Sequence, residues 1–185
     1  MVITVYADRR SREVAEIAGR LAKAIASAGE GRVVLVGSRL RGSSSLPGIE
    51  TAELGASVAP QDVSALLASL AARSLAAVVA LSGAPSEQVL AAFDASDRVL
   101  ILSDPSVASI RGTQRTLKLC ASLGYGVDKT AVVLHAFGED APLAPADAAT
   151  VLKREIYFTL PASGVAAGTG EESYSRLADR LMART

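Results

Sequence analysis

Arg98-Val99-Leu100-Ile101-Leu102-Ser103-Asp104-Pro105-Ser106 is the stretch on which the fold turns. Its strand portion, Arg98–Ser103, is short and nearly continuously apolar rather than alternating, the pattern of a strand covered on both faces. It stops at an Asp-Pro-Ser turn, and a helical pattern follows over Ser106–Leu123. The same unit recurs outward in both directions. Val2–Ala7, Arg32–Gly37, Ala76–Leu81, Thr130–His135 and Glu155–Leu160 read as further buried strands. Helical patterns lie between them. Ser11–Ser27 carries Val14, Ile17, Ala18, Leu21, Ala22 and Ile25 on one stripe and stops at Gly29. Pro60–Ala72 opens with proline at its first turn, and Ser86–Ala95, Pro145–Lys153 and Glu171–Ala183 complete the set. Strand–helix alternation with right-handed crossovers predicts an α/β fold: three layers, α/β/α, around a mostly parallel sheet of about six to seven strands. Two stretches, Arg41–Gly48 and Pro161–Gly170, read as loops.

The composition agrees. The chain has 185 residues, 50% hydrophobic, 21% charged and 4% aromatic, enough apolar material for a real core and too much for intrinsic disorder. No linker or internal repeat divides it, so residues 1–185 are expected to form a single domain. Nineteen basic residues balance nineteen acidic ones, which disfavours a domain built mainly to neutralise nucleic-acid phosphates. One cysteine, Cys120, and one histidine, His135, make an internal disulfide impossible and a histidine-based metal site hard to assemble, and no metal ligand set is expected. No segment reaches the ~18 apolar residues of a membrane span, and Met1–Tyr6 lacks the features of a signal peptide. The cytoplasm is the expected compartment.

In open α/β sheets ligands bind at the carboxyl ends of the strands, so the turns there were read for chemistry. The turn Ala7-Asp8-Arg9-Arg10-Ser11-Arg12-Glu13 has no glycine where a phosphate-binding loop needs several. Arg9, Arg10 and Arg12 can hold an anion at the helix N-terminus or simply form a solvated charged turn. Gly37-Ser38-Arg39 and Ser82-Gly83-Ala84-Pro85 follow the next two apolar strands and contain no carboxylate for Mg²⁺. Asp104 reads as an acid or, more simply, a turn or cap residue before Pro105. His135 ends its strand as a ligand contact or a satisfied structural imidazole, and Cys120 reads as core. No turn offers a nucleophile–base pair, and no catalytic residue is expected.

The segment from Ala92 to Arg115, with Asp94-Ala95-Ser96-Asp97-Arg98-Val99-Leu100-Ile101-Leu102-Ser103-Asp104-Pro105-Ser106-Val107-Ala108-Ser109-Ile110-Arg111 at its centre, resembles the MinD/ParA ATPases, which carry an "aaD-vllvt-pd-sirn" segment after their second nucleotide motif. Leu123–His135 resembles their "lgy…k…lvlN" strand, and Glu155–Pro161 their later "pv…tiP" strand. The flavour is that of the TadZ/CpaE branch, which helps place the Tad (tight adherence) pilus machine at the cell pole. The resemblance implies a P-loop NTPase fold of the MinD/ParA type and covers most of the chain, most specifically Ala92–Pro161.

Departures from the family pattern are concentrated at its nucleotide motifs. Against the K-G-G-x-G-K-T/S loop, Arg9 falls at the first lysine, Arg10 and Ser11 at the glycines, Glu13 at the third glycine, Val14 at the phosphate lysine and Ala15 at the Mg²⁺-binding hydroxyl. The aspartate after the second strand falls at about Gly37 or Ser38, the Walker B aspartate at about Ala80, and the adenine-reading asparagine at His135. A loop without glycines or lysine cannot solvate a triphosphate, and Mg²⁺ loses its anchors. The resemblance therefore implies a pseudo-ATPase that needs no cofactor, with ATP and Mg²⁺ not bound in the usual way. It would bind protein partners, as a homodimer or a heterodimer with a related ATPase, through a surface centred on Arg9, Arg10, Arg12, Gly37, Ser38, Arg39, Ser82 and Gly83. Recruitment to a pole or a membrane-associated complex goes with that reading. Two alternatives stay open: a nucleotide or other phosphate ligand held by the arginine-rich turn, and ParA-like nonspecific DNA binding through Arg9, Arg12, Arg39, Arg41, Arg111, Arg115 and Lys118.

Overall fold

A computed structural model describes residues 1–9, 11–29, 31–37, 48–55, 58–136, 141–161 and 167–183, with the side chains of residues 11, 12 and 167–169 left out. The elements run β1 (Val2–Ala7), α1 (Ser11–Ala28), β2 (Val33–Gly37), β3 (Ile49–Glu53), α2 (Pro60–Arg73), β4 (Ala76–Ser82), α3 (Glu87–Asp94), β5 (Arg98–Ser103), α4 (Val107–Ser122), β6 (Thr130–His135), α5 (Pro145–Leu152), β7 (Ile156–Leu160) and α6 (Ala167–Met182). Seven strands form one sheet in the order β3-β2-β4-β1-β5-β6-β7. Every pairing in it is parallel.

The near-continuous apolar strands are explained by helices on both faces. From one face of β1, Ile3, Val5 and Ala7 pack with Val14, Leu21 and Ile25 of α1 and with Tyr174, Leu177 and Leu181 of α6. From the other, Val2 and Tyr6 pack with Val63 and Leu67 of α2, Val89 and Phe93 of α3, and Cys120 of α4. A smaller cluster joins Ile110, Val132, Leu134, Ala148 and Leu152 beneath α4 and α5. Cys120 is thus a core residue, as its helical position implied. The order of strands puts β1 at the centre of the sheet, with β4 on one side and β5 on the other.

Two features differ from the sequence reading. Ile49–Glu53 is a strand that the apolar-run criterion passes over. It is an edge strand, paired only to β2 in the described sheet, and its residues are half-buried or exposed; an edge position needs no continuous apolar run. The stretch Pro161–Gly170, read as a loop on its glycines, contains the start of α6 at Ala167. Gly168 and Gly170 sit in the first turn, where glycine's cost to a helix is tolerated. The Arg41–Gly48 stretch lies outside the described residues apart from Gly48, whose φ of 80° makes it a left-handed turn residue before β3.

Candidate functional site

At the carboxyl ends of β1, β5 and β6 a cavity of about 180 Å³ opens between the first turns of α1 and α4. Asp8, Arg9, Glu13, Asp104, Thr113 and His135 are among its walls. The connection that makes its floor is short. β1 ends at Ala7 and α1 begins at Ser11, so only residues 8–10 link strand to helix. A phosphate-binding loop interposes a run of backbone N–H groups between these elements so that it can wrap the anion. Val14, aligned with the phosphate lysine, is 1% exposed inside the α1–sheet core.

The charges at this end of the sheet are carboxylates set against basic residues. Asp8 accepts from Arg115 Nη2 at 2.6 Å. The close approach of α4 to the end of β1 depends on Gly112, where a Cβ would collide with the Asp8 carboxylate. Asp104 is 5% exposed. Its Oδ1 accepts from the Ser106 N–H at 2.8 Å, closing a turn two residues on, and its own N–H donates to Ser109 Oγ at 3.0 Å. Ser106 caps α4 by accepting from the Ser109 N–H at 3.2 Å. The turn-and-cap role anticipated for Asp104 is therefore present in its hydrogen bonds.

His135 is the last residue of β6 and is 7% exposed. Its Nε2 lies 4.0 Å from Glu13 Oε2. One ligand-capable atom each from Glu13, Asp104 and His135 falls within 4.8 Å of the other two. These residues are remote in sequence and come from α1, the β5–α4 turn and β6. Parallel pairing of β1, β5 and β6 brings their carboxyl ends together.

Of the residues singled out in the sequence, Arg9, Asp104 and His135 meet in the cavity. Gly37, Ser82 and Gly83 do not line it. Gly37 ends β2, with three strands between it and β6 in the sheet order. Gly83 has φ 106°, a conformation suited to glycine, and its turn is tied to β1 by Gly83 N–H donating to Ala7 O at 3.0 Å and Tyr6 Oη donating to Gly83 O at 2.6 Å. Arg10, Ser38, Arg39 and Arg41 lie outside the described residues, as does the side chain of Arg12. Arg111, Arg115 and Lys118 are exposed along α4. The sequence reading missed Asp8 and Glu13 as members of the site. Both stood in the quoted turn, but the arginines beside them drew the chemistry.

No protein-family model matches the chain, and no curated protein matches it. Solved structures do. The MinC:MinD cell division protein complex of Aquifex aeolicus matches at 16% identity and TM-score 0.78, over 100% of this chain and 96% of that one. A ParA family ATPase from Chlorobium tepidum matches at 16% identity and TM-score 0.75, over 100% and 92%. The septum site-determining protein MinD of Pyrococcus horikoshii, complexed with Mg-ADP, matches at 12% identity and TM-score 0.77, over 97% and 95%. At these identities the likeness is one of fold. The chain has the α/β architecture of the MinD and ParA P-loop ATPases.

Proposed function

We propose that this chain is a MinD/ParA-type fold that has given up nucleotide and works by binding proteins. The setting is the one the TadZ/CpaE resemblance implies: localisation or assembly of a polar machine such as a Tad-type pilus, by a protein acting from the cytoplasm. No helix among the described residues is long and apolar enough to cross a membrane, so recruitment to a pole would run through partners. The Aquifex MinD structure in complex with MinC is a precedent for a protein partner on this fold.

The observation that carries the reading is the floor of the cavity. Three residues join β1 to α1, and the walls present three carboxylates, Asp8, Glu13 and Asp104, against one described guanidinium, that of Arg9. A triphosphate placed there meets carboxylates instead of a cradle of N–H groups. Each like-charge pair at about 4 Å costs roughly 1–4 kcal/mol between bulk-water and surface-protein dielectrics. Arg115 of α4 is already engaged by Asp8.

The test is a calorimetric titration of the purified protein with ATP and Mg²⁺ into the millimolar range, paired with thermal melts. The expected result is no saturable heat and no rise in Tm, since any ligand specific for the folded state must raise it by mass action. Saturable binding overturns the nucleotide-free reading. The dimer surface centred on Arg9, Arg12 and the turns after β2 and β4 has its own check. Wild type is expected to sediment as a dimer and an Arg9→Glu/Arg12→Glu variant as a monomer; two equal monomers reject that surface.

A further inference from the structure

The geometry points to a divalent transition-metal site in the same cavity, with Glu13, Asp104 and His135 as its protein ligands and zinc as the metal that suits them. Nothing in the nucleotide-free, partner-binding reading requires it, and its failure would leave that reading intact.

The donor set comes first. A cluster of carboxylates alone would be an ordinary acidic surface. Here the chain's only histidine joins two carboxylates from separate elements, and their ligand atoms converge within 4.8 Å. Asp104 is 5% exposed and the His135 side chain 10%, and both face a hollow large enough for an ion with its water. Glu13 closes the triangle from the first turn of α1, its side chain 37% exposed. Imidazole nitrogen with carboxylate oxygen is a borderline set that suits zinc and its neighbours, whereas Mg²⁺ and Ca²⁺ take oxygen donors.

The distances fit next. A triangle of side 4.8 Å has its centre about 2.8 Å from each corner, against about 2.0–2.2 Å for zinc bonds to nitrogen or oxygen. The 4.0 Å edge between His135 Nε2 and Glu13 Oε2 brings that centre closer still. Closing the remainder asks only a rotamer adjustment of the half-exposed Glu13. Three protein ligands leave a coordination position open to water, the arrangement of an accessible rather than a closed structural site.

The electrostatics also change sense. In this fold's nucleotide-binding members the corresponding pocket must attract an anion; here Glu13 and Asp104 bring two carboxylates to it beside His135. A divalent ion is the charge that such a pair of carboxylates takes, and the balanced charge of the whole chain does not oppose it.

The experiment uses the untagged, chelator-stripped full chain and Zn²⁺ alone. Because His135 is the only histidine, the imidazole resonances in an NMR spectrum belong to one ring. The expected result is saturable binding of one equivalent of Zn²⁺, accompanied by a shift of those imidazole resonances, with no response to Mg²⁺. Affinity is expected to fall at least about tenfold in Glu13→Gln and in His135→Gln, since one lost ligand outweighs the 10–100-fold seen for second-shell partners. The Glu13 change is at a half-exposed helix position and keeps the fold, so it carries the test if His135→Gln unfolds. The proposal is overturned by absence of saturable binding, by imidazole resonances that stay put while Zn²⁺ binds, or by unchanged affinity in Glu13→Gln.

Discussion

Tyr6 shows how much of this architecture rests on single side chains at the carboxyl end of the sheet. It is fully buried in β1. Its ring meets Phe93 edge to face, with centroids 5.1 Å apart and planes at 87°, and its hydroxyl reaches past the strand end to donate to Gly83 O at 2.6 Å. One residue thereby fixes α3 against the sheet and holds the β4 turn in register with β1. Replacing Tyr6 by phenylalanine keeps the ring contact and leaves the Gly83 carbonyl without its donor. A buried acceptor left unsatisfied costs about 1–3 kcal/mol, the upper limit for the half-buried Gly83 carbonyl. The expected outcome is a Tyr6→Phe protein that folds and loses stability in that range by urea unfolding. A loss below about 0.5 kcal/mol would mean that water replaces the hydroxyl without cost.

At the scale of elements, the starts of α2, α3, α4 and α5 divide into two kinds. α3 and α4 are capped by Ser86 and Ser106, whose hydroxyls accept from Val89 N–H at 3.3 Å and Ser109 N–H at 3.2 Å. α2 and α5 begin with proline after Ala59 and Ala144, which have extended backbone and no side chain to accept a bond. Ala144 is exposed and its φ of −73° and ψ of 153° already suit a cap. Ala144→Ser is therefore expected to stabilise by about 0.5–1 kcal/mol, and Ser86→Ala to destabilise by about 1 kcal/mol, both read from the midpoint of denaturant unfolding. Opposite signs for the pair are the result that matters; the same sign for both would reject capping as the cause. These starts were legible because proline and serine act locally. Five of the six apolar strands were legible for a related reason: burial on both faces demands an unbroken apolar run; β7, at the other edge and only partly covered, was legible because Ile156, Tyr157, Phe158 and Leu160 are apolar all the same. Edge strand β3 hid because Ile49-Glu50-Thr51-Ala52-Glu53 is covered incompletely. The site was half legible. Strand ends named the region, and so Arg9, Asp104 and His135 were found. That Glu13 faces His135 depends on the angle at which α1 leaves a three-residue connection, which no local pattern encodes.

The whole molecule carries a titration that no single site reveals. Burial, with the Asp8 charge adding to it, pushes the Tyr6 phenol up to about 12. Burial likewise takes Tyr174 up to about 12 against the opposing pull of Arg20. Tyr125 is raised by desolvation and by its hydrogen bond to Asp94 Oδ1 at 2.5 Å, and the buried Cys120 thiol is raised as well. These groups sit in β1, α6, the α4–β6 connection and α4, so their effects sum over the fold. In each case the native state holds its proton more tightly than the unfolded chain, where a phenol titrates near about 10. For Tyr6 and Tyr174 the stabilisation is thus fully present below pH about 10 and is lost as pH rises through the native values near 12, whereas the Cys120 contribution begins to be lost above about 8.5, where a thiol of the unfolded chain ionises. For fully or nearly buried Tyr6 and Tyr174, a shift of that size is worth up to roughly 2–3 kcal/mol apiece, a large share of the stability of a domain this size. Urea unfolding free energy is expected to hold level from pH about 7 to 8, to begin falling as the Cys120 thiol of the unfolded chain ionises, and to fall steeply above pH about 10. Tyr6→Phe removes one of the linked protons, so its free energy, lower at neutral pH, falls less steeply above pH 10 and converges on that of wild type. Parallel curves for the two proteins would show that the Tyr6 proton is not linked to folding and that its hydroxyl serves the Gly83 turn alone.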